Sequence, residues 1–226
     1  MRICFVTQGA LNYYWQEKLD LLSGNDLLIF GYNGLGLVSY KKELSGETEY
    51  FRDVANMSKQ LGCIIVCGCD TDTYGVFRHS VAIADNGKLL GVSDMAHSID
   101  QSEFVPGGSF RVYDTSKGKI GIVVCEDIFF PETSRVLALC DADILVCVMK
   151  NVDNFMPQVM QRAMAYANGV PMALCTNRYV SLVDIRGDVL VSGQNSVINA
   201  KLSIEKDYRL INSRRRGIYK DFNSGY

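Results

Sequence analysis

Six short, almost wholly apolar runs punctuate the 226-residue chain: RICFV, DLLIF, CIIVC, IGIVVC, ADILVCVM and VPMALC. Each is closed off by turn-forming or charged residues. Runs this short and this rich in branched side chains read as strands, and a strand apolar on both faces must be covered on both faces. That requirement excludes an all-helical fold and a one-sided antiparallel sheet. Between the runs lie helical patterns at 12–22, 49–61, 131–140 and 157–169. Glycines 24, 62 and 169 stop three of them, and Pro157 opens the last at its first position.

Three further segments read as hairpins. FRHSVAIAD and LLGVSD flank an Asn-Gly turn, RVYDT and IGIVVC flank SKGK, and YVSLVDIRGDVLVSG folds over Arg-Gly. Hairpins among buried strands predict mixed sheets. The glycine-rich GYNGLG that follows DLLIF reads as a loop. No linker, low-complexity stretch or internal repeat interrupts the chain, so the expectation is one α/β domain over residues 1–226, helices outside sheet.

Hydrophobic residues are 48% of the chain, charged residues 21%, and the net charge is −2. A nearly neutral chain has no bulk field for nucleic acid, and no run reaches the roughly 18 apolar residues of a membrane span. MRICFVTQG is too short for a signal peptide and reads as a first strand. The expected partners are therefore neither nucleic acid nor membrane. Arg214, Arg215 and Arg216 read as a solvated tail or a subunit contact. The eight cysteines lie mostly in strand-like runs, as buried hydrophobes of a reduced, cytoplasmic protein. Cys63, Cys67 and Cys69 lack the second pair of a zinc site, so they read as core and the expected metal content is none.

KGKIGIVVCEDIFFPE, residues 117–132, carries the chemistry. A buried strand delivers Cys125 to its carboxyl end. A turn bearing Glu126 and Asp127 follows, then Pro131 and a helix. Ligand sites of α/β sheets lie beyond strand carboxyl ends, where main-chain N–H groups can stabilise a thiolate or an oxyanion. On the residues alone, Cys125 is either a nucleophile or another structural cysteine.

The segment GKIGIVVCEDIFFPE resembles the cysteine motif of the nitrilase, or carbon–nitrogen hydrolase, superfamily. FRHSVAIADNGKLLG, FVPGGSFRVYDTSKGKIG, ANGVPMALCTNR and VDIRGDVL are similar to other segments of that family. The resemblance implies a four-layer α-β-β-α sandwich assembled into homodimers or larger oligomers, with no cofactor. It also implies a Glu-Lys-Cys mechanism acting on amides or nitriles. The cysteine falls on Cys125. The glutamate's place, after the second strand, holds Tyr32. The lysine's place, after the hairpin, holds Met95, and His97 matches the family histidine and reads as structural. Asp100 corresponds to the family's second acidic residue. Glu126, Phe129 and Met149 are expected to line the pocket with it.

Tyrosine is a poor base at pH 7 and methionine donates no hydrogen bond, so conventional activity is in doubt. Lys41, Lys42 and Glu43 lie in a shortened loop that could fold back as substitutes. Three functions remain. The chain is a hydrolase acting through a Cys125 thioester on a small amide or carbamoyl compound, a non-catalytic protein that binds a small metabolite or forms an oligomer, or a sensor whose reactive thiol is Cys125.

Overall fold

The computed structural model describes residues 1–99, 103–150 and 153–215. Two mixed sheets face one another. The first holds β1 (Arg2–Val6), β2 (Leu27–Phe30), β3 (Gly36–Ser39), β4 (Ile64–Thr73), β5 (Val76–Asp85), β6 (Lys88–Asp94) and β13 (Val197–Lys201). Its order is β13-β1-β2-β4-β5-β6, with β3 also paired to β4. The second runs β12 (Val189–Gly193), β11 (Val180–Val183), β10 (Met172–Cys175), β9 (Ile144–Val148), β8 (Gly118–Val124), β7 (Val112–Thr115).

Alternation along the strands separates the layers. Ile3, Phe5, Leu27, Ile29, Val81 and Ile83 point into one interior cluster shared with the second sheet. Their neighbours Cys4, Val6, Leu28, Phe30, Ala82 and Ala84 point outward into a second cluster. There they meet α1 (Leu11–Glu17), α2 (Leu19–Leu22) and α4 (Tyr50–Leu61). Period-two alternation thus gives the first sheet two buried faces, each large side chain contributing roughly 1.5–3 kcal/mol. On the far side, α5 (Pro131–Leu139) and α6 (Met156–Asn168) cover the second sheet. The order of layers is helix, sheet, sheet, helix, as expected. Cys63, Cys67 and Cys69 lie in the outer apolar cluster. Cys140 is exposed, and the other seven cysteines are buried.

The three hairpins form as read, and Asn86 and Gly87 turn the first with φ of 50° and 81°. Several expectations need correction. The helix at 12–22 is two, broken at Lys18 (φ −138°). The apolar strand ending near Cys69 continues to Thr73, because its polar end keeps an antiparallel ladder with β5 from Asp70↔His79 to Thr73↔Val76. The 36–45 region is not loop: it forms β3 and α3 (Tyr40–Ser45). Helix α6 opens at Met156, with Pro157 second. Two elements had no sequence signal, β13 and the short α7 (Arg209–Asn212). Arg216 lies outside the described residues, and no described helix is long and apolar enough to cross a membrane.

Candidate active site

Strand β8 ends at Val124, and Cys125 opens a 3-10 turn, Cys125–Phe129, that leads directly into α5. Cys125 has φ +47° and is 4% exposed. A left-handed backbone costs a non-glycine residue on the order of 1–2 kcal/mol, so the surrounding structure must hold it. Part of that hold is visible. Asp127, two residues on and buried, accepts the main-chain N–H of Ala96 at 2.9 Å and of His97 at 2.9 Å, and His97 Nδ1 at 2.8 Å. His97 in turn stacks on Phe130 at 4.0 Å. Burial raises the Asp127 pKa against these bonds, which favour its charge. His97 therefore steadies the elbow by gripping Asp127.

The other expected positions fall as follows. Glu126 accepts the N–H of Ile99 at 2.5 Å, which ties it to the segment after β6. Phe129 is half-buried and packs on the interior cluster. Met149 is buried, its N–H donating to Cys175 O at 3.1 Å. Asp100 lies outside the described residues. Met95 is 2% exposed and shares the interior cluster with Tyr32 and Cys125, and its N–H donates to His79 O at 2.8 Å.

Lys41, Lys42 and Glu43 do not reach the site. They belong to α3, where Glu43 accepts the N–H groups of Tyr50 at 3.0 Å and Phe51 at 3.2 Å. Those are unpaired donors of the first turn of α4, so Glu43 serves as its cap.

A carboxylate and an ammonium do converge near Cys125, from strand ends rather than from that loop. Asp70, on β4, accepts the Tyr32 hydroxyl at 2.8 Å and His79 Nδ1 at 2.6 Å, both on Oδ1. Lys150 Nζ stands 3.4 Å from Asp70 Oδ2. The same ammonium lies over the Tyr32 ring at 5.1 Å and the Phe104 ring at 4.6 Å. His79 stacks on Phe104 at 3.7 Å. Burial pushes the Cys125 thiol up to about 12, aided by the Asp70 charge. The main-chain N–H and ammonium of Lys150 and the Tyr32 hydroxyl oppose that rise. Burial also works to raise Asp70, but the bonds from His79 and Tyr32, with Lys150's charge, overcome it and hold the carboxyl below its ordinary value. Tyr32 itself is pushed well up by burial and by the neighbouring Cys125 and Asp70 charges, so it stays a phenol.

Topology explains this convergence. Val124 pairs with Val148 across the parallel β8–β9 ladder, which brings Cys125 and Lys150 off adjacent strand ends. The two sheets touch closely here. A Cβ on Gly68 would meet Tyr32 Cα and Val148 Cγ1 at 2.8 Å each, and one on Gly31 would meet Thr176 O at 2.9 Å. Only glycine permits that approach. Sequence reasoning missed Asp70, His79 and Lys150. One signal was available: a lysine placed directly after an apolar strand, at the strand end where ligand sites collect.

Two facing mixed sheets with outer helices, and a cysteine on a strained strand-to-helix elbow between them, define a cysteine-centred α-β-β-α sandwich. The chain belongs to the carbon-nitrogen hydrolase family of the nitrilase superfamily, whose family model matches residues 7–207. A probable nitrilase of Schizosaccharomyces pombe is 29% identical over 188 residues, 76% of this chain and 69% of that protein. An N-carbamoylputrescine amidase of Solanum tuberosum is 36% identical over 98 residues, 40% of this chain but only 33% of that protein. Among solved structures, a nitrilase-superfamily amidase of Nesterenkonia AN1 superposes with TM-score 0.78 at 17% identity, covering 98% of this chain and 97% of its own. A mutant of that amidase carrying the acetamide moiety of fluoroacetamide on its active-site cysteine superposes with TM-score 0.75 at 19% identity, covering 98% and 96%. At these identities the solved structures establish the fold.

Proposed function

We propose that the chain hydrolyses a small linear amide or carbamoyl compound through a thioester on Cys125. The observation that carries this reading is the backbone of Cys125, held at φ +47° at the carboxyl end of a buried strand. Strain of this kind collects where a reacting atom must be presented. A cysteine that only filled space would be better placed in ordinary strand geometry, as Cys147 and Cys175 are. The substrate class comes from the amidase names of the relatives. Tyr32 and Met95 stand where the resemblance implies a glutamate and a lysine, so the reaction proceeds without the conventional triad.

A second reading has its own support. With a thiol near 12 and an apolar Met95 in the same interior cluster, the resting sulfur is almost wholly protonated at neutral pH, which suits a protein that binds a metabolite without turning it over. The same elevation counts against a sensor thiol reactive at neutral pH. We take the chain to work as a homo-oligomer in a reducing, cytoplasmic setting. Exposed Val136 and Leu139 on α5, with Val159 and Tyr166 on α6, and the buried thiols support that view. Ammonia release from acetamide, propionamide and N-carbamoyl amines decides the main reading. Release is expected from the native protein and is expected to vanish in Cys125→Ala. Equal release from both proteins would overturn it.

A further inference from the structure

We propose that Lys150 is the cation of this site and that Tyr32 and Asp70, steadied by His79, are its proton acceptor. Lys150 supplies the charge that Met95 lacks, and Asp70 supplies the basicity that Tyr32 alone lacks. The inference rests on the hydrolase reading and extends it to the residues that carry the reaction.

The geometry is that of a bridged cluster. Tyr32, Asp70 and His79 come from one sheet, and Cys125 and Lys150 from the other. One carboxylate joins them: Asp70 takes the Tyr32 hydroxyl at 2.8 Å, His79 Nδ1 at 2.6 Å and the Lys150 ammonium at 3.4 Å. Tyr32 and Lys150 both lie near enough to the Cys125 sulfur to favour its thiolate, and Val124 paired with Val148 sets Cys125 and Lys150 at adjacent strand ends. The ammonium of this half-exposed lysine is drawn toward two aromatic faces and a carboxylate, which favour its place beside the site. Asp70 remains ionised and can take a proton. A purely structural network would need neither a left-handed backbone at Cys125 nor a cation whose charge is felt at its sulfur.

The reaction then balances. The thiol proton passes to Tyr32 oxygen as the phenol proton passes to Asp70. Sulfur forms the C–S bond, and the carbonyl π pair moves onto oxygen, facing the Lys150 ammonium. The C–N bond breaks, and the amine leaves with the proton returned from Asp70 through Tyr32. Water gives its proton along the same path and adds to the thioester. The C–S bond breaks, and the proton returns to sulfur. The sum is amide plus water giving acid plus amine. Tyr32 and Lys150 are the catalytic residues, and Asp70 and His79 act through them.

The test pairs two readouts on Lys150→Met, Lys150→Arg and Asp70→Asn, with folding checked by thermal melting. One readout is ammonia release. The other is the rate at which fluoroacetamide alkylates Cys125 at pH 8, read on the Cys125 peptide by mass spectrometry. In that reaction C–S forms and fluoride leaves, so it reports the thiolate without needing turnover. Lys150→Met is expected to cut hydrolysis by roughly 10²–10³ and labelling by roughly tenfold or more. Lys150→Arg, which keeps the charge, is expected to regain most of both.

Asp70→Asn is expected to split the readouts. Hydrolysis falls by roughly 10²–10⁴, while labelling quickens because an anion facing the sulfur is gone. A merely structural Asp70 would slow both together. Native-rate labelling in Lys150→Met, or parallel losses in Asp70→Asn, would overturn the assignment even if the native protein hydrolyses amides. Labelling that follows Lys150 and Asp70 in a protein that releases ammonia from no amide would uphold their action on the thiol and overturn the hydrolase reading instead.

Discussion

Two opposed environments meet at the Cys125 sulfur, one of them a lysine's charge. Burial and Asp70 favour the thiol; Lys150 and Tyr32 favour the thiolate; burial wins, at about 12. The sign of the pH dependence follows. Only the thiolate attacks an electrophile, and well below its pKa the thiolate fraction rises tenfold per pH unit. Fluoroacetamide labelling of Cys125 is therefore expected to climb about tenfold per unit from pH 7 to 10 without levelling. A plateau below pH 9, followed on the Cys125 peptide, would show a thiol activated at rest. At this scale the sequence was legible in part. Cys125 could be read because a strand, a cysteine, two carboxylates and a proline-led helix follow in order. Tyr32 and Met95 could be read as replacements. Lys150 carried one weak signal, its place just after an apolar strand; Asp70 carried none, because a carboxylate in a polar strand end looks like any solvated one. What makes them a site is a contact between residues 80 apart.

Elements succeed or fail here by how closely they approach. The apolar runs and hairpins were legible because burial on two faces and turn chemistry are local properties. The continuation of β4 to Thr73 was not, since the residues beyond Cys69 are polar and their pairing depends on β5 lying alongside. That continuation is what carries Asp70 to the site. The meeting of β4 with the second sheet depends on Gly68, where a methyl group would sit 2.8 Å from the Tyr32 Cα and from Val148 Cγ1. A main-chain atom cannot step aside as a flexible side chain can. Gly68→Ala is therefore expected to destabilise the fold by about 1–3 kcal/mol. It should also reduce hydrolysis further than stability alone explains, because it pushes Tyr32 off Cys125. A urea midpoint and an ammonia assay on the same preparation check both. An unchanged midpoint would mean that the sheets have slack at this contact.

On the scale of the whole molecule, the chain closes on itself. Strand β13 returns from the carboxyl-terminal region to pair antiparallel with β1, and the amino-terminal ammonium donates to Leu202 O at 2.8 Å. One interior cluster takes side chains from both sheets. A shared core of this kind couples the two halves, so unfolding is expected as a single cooperative transition. Trp15 is the chain's one tryptophan and lies on the outer side of the first sheet. Its fluorescence therefore reports one half, while far-ultraviolet circular dichroism reports both. Coincident midpoints are expected, and a tryptophan transition several degrees below the dichroism would show two units.

The layered architecture was legible from patterning and resemblance. The site between the layers was legible only as far as one strand could announce it. Whether this interface makes and breaks an acyl–sulfur bond can be read by acid-quenching the protein during incubation with a small amide and weighing the Cys125 peptide. A peptide heavier by the acyl group is expected, returning to its native mass as substrate is exhausted and absent in Cys125→Ala. Ammonia release with an unmodified Cys125 peptide at every time point would contradict it.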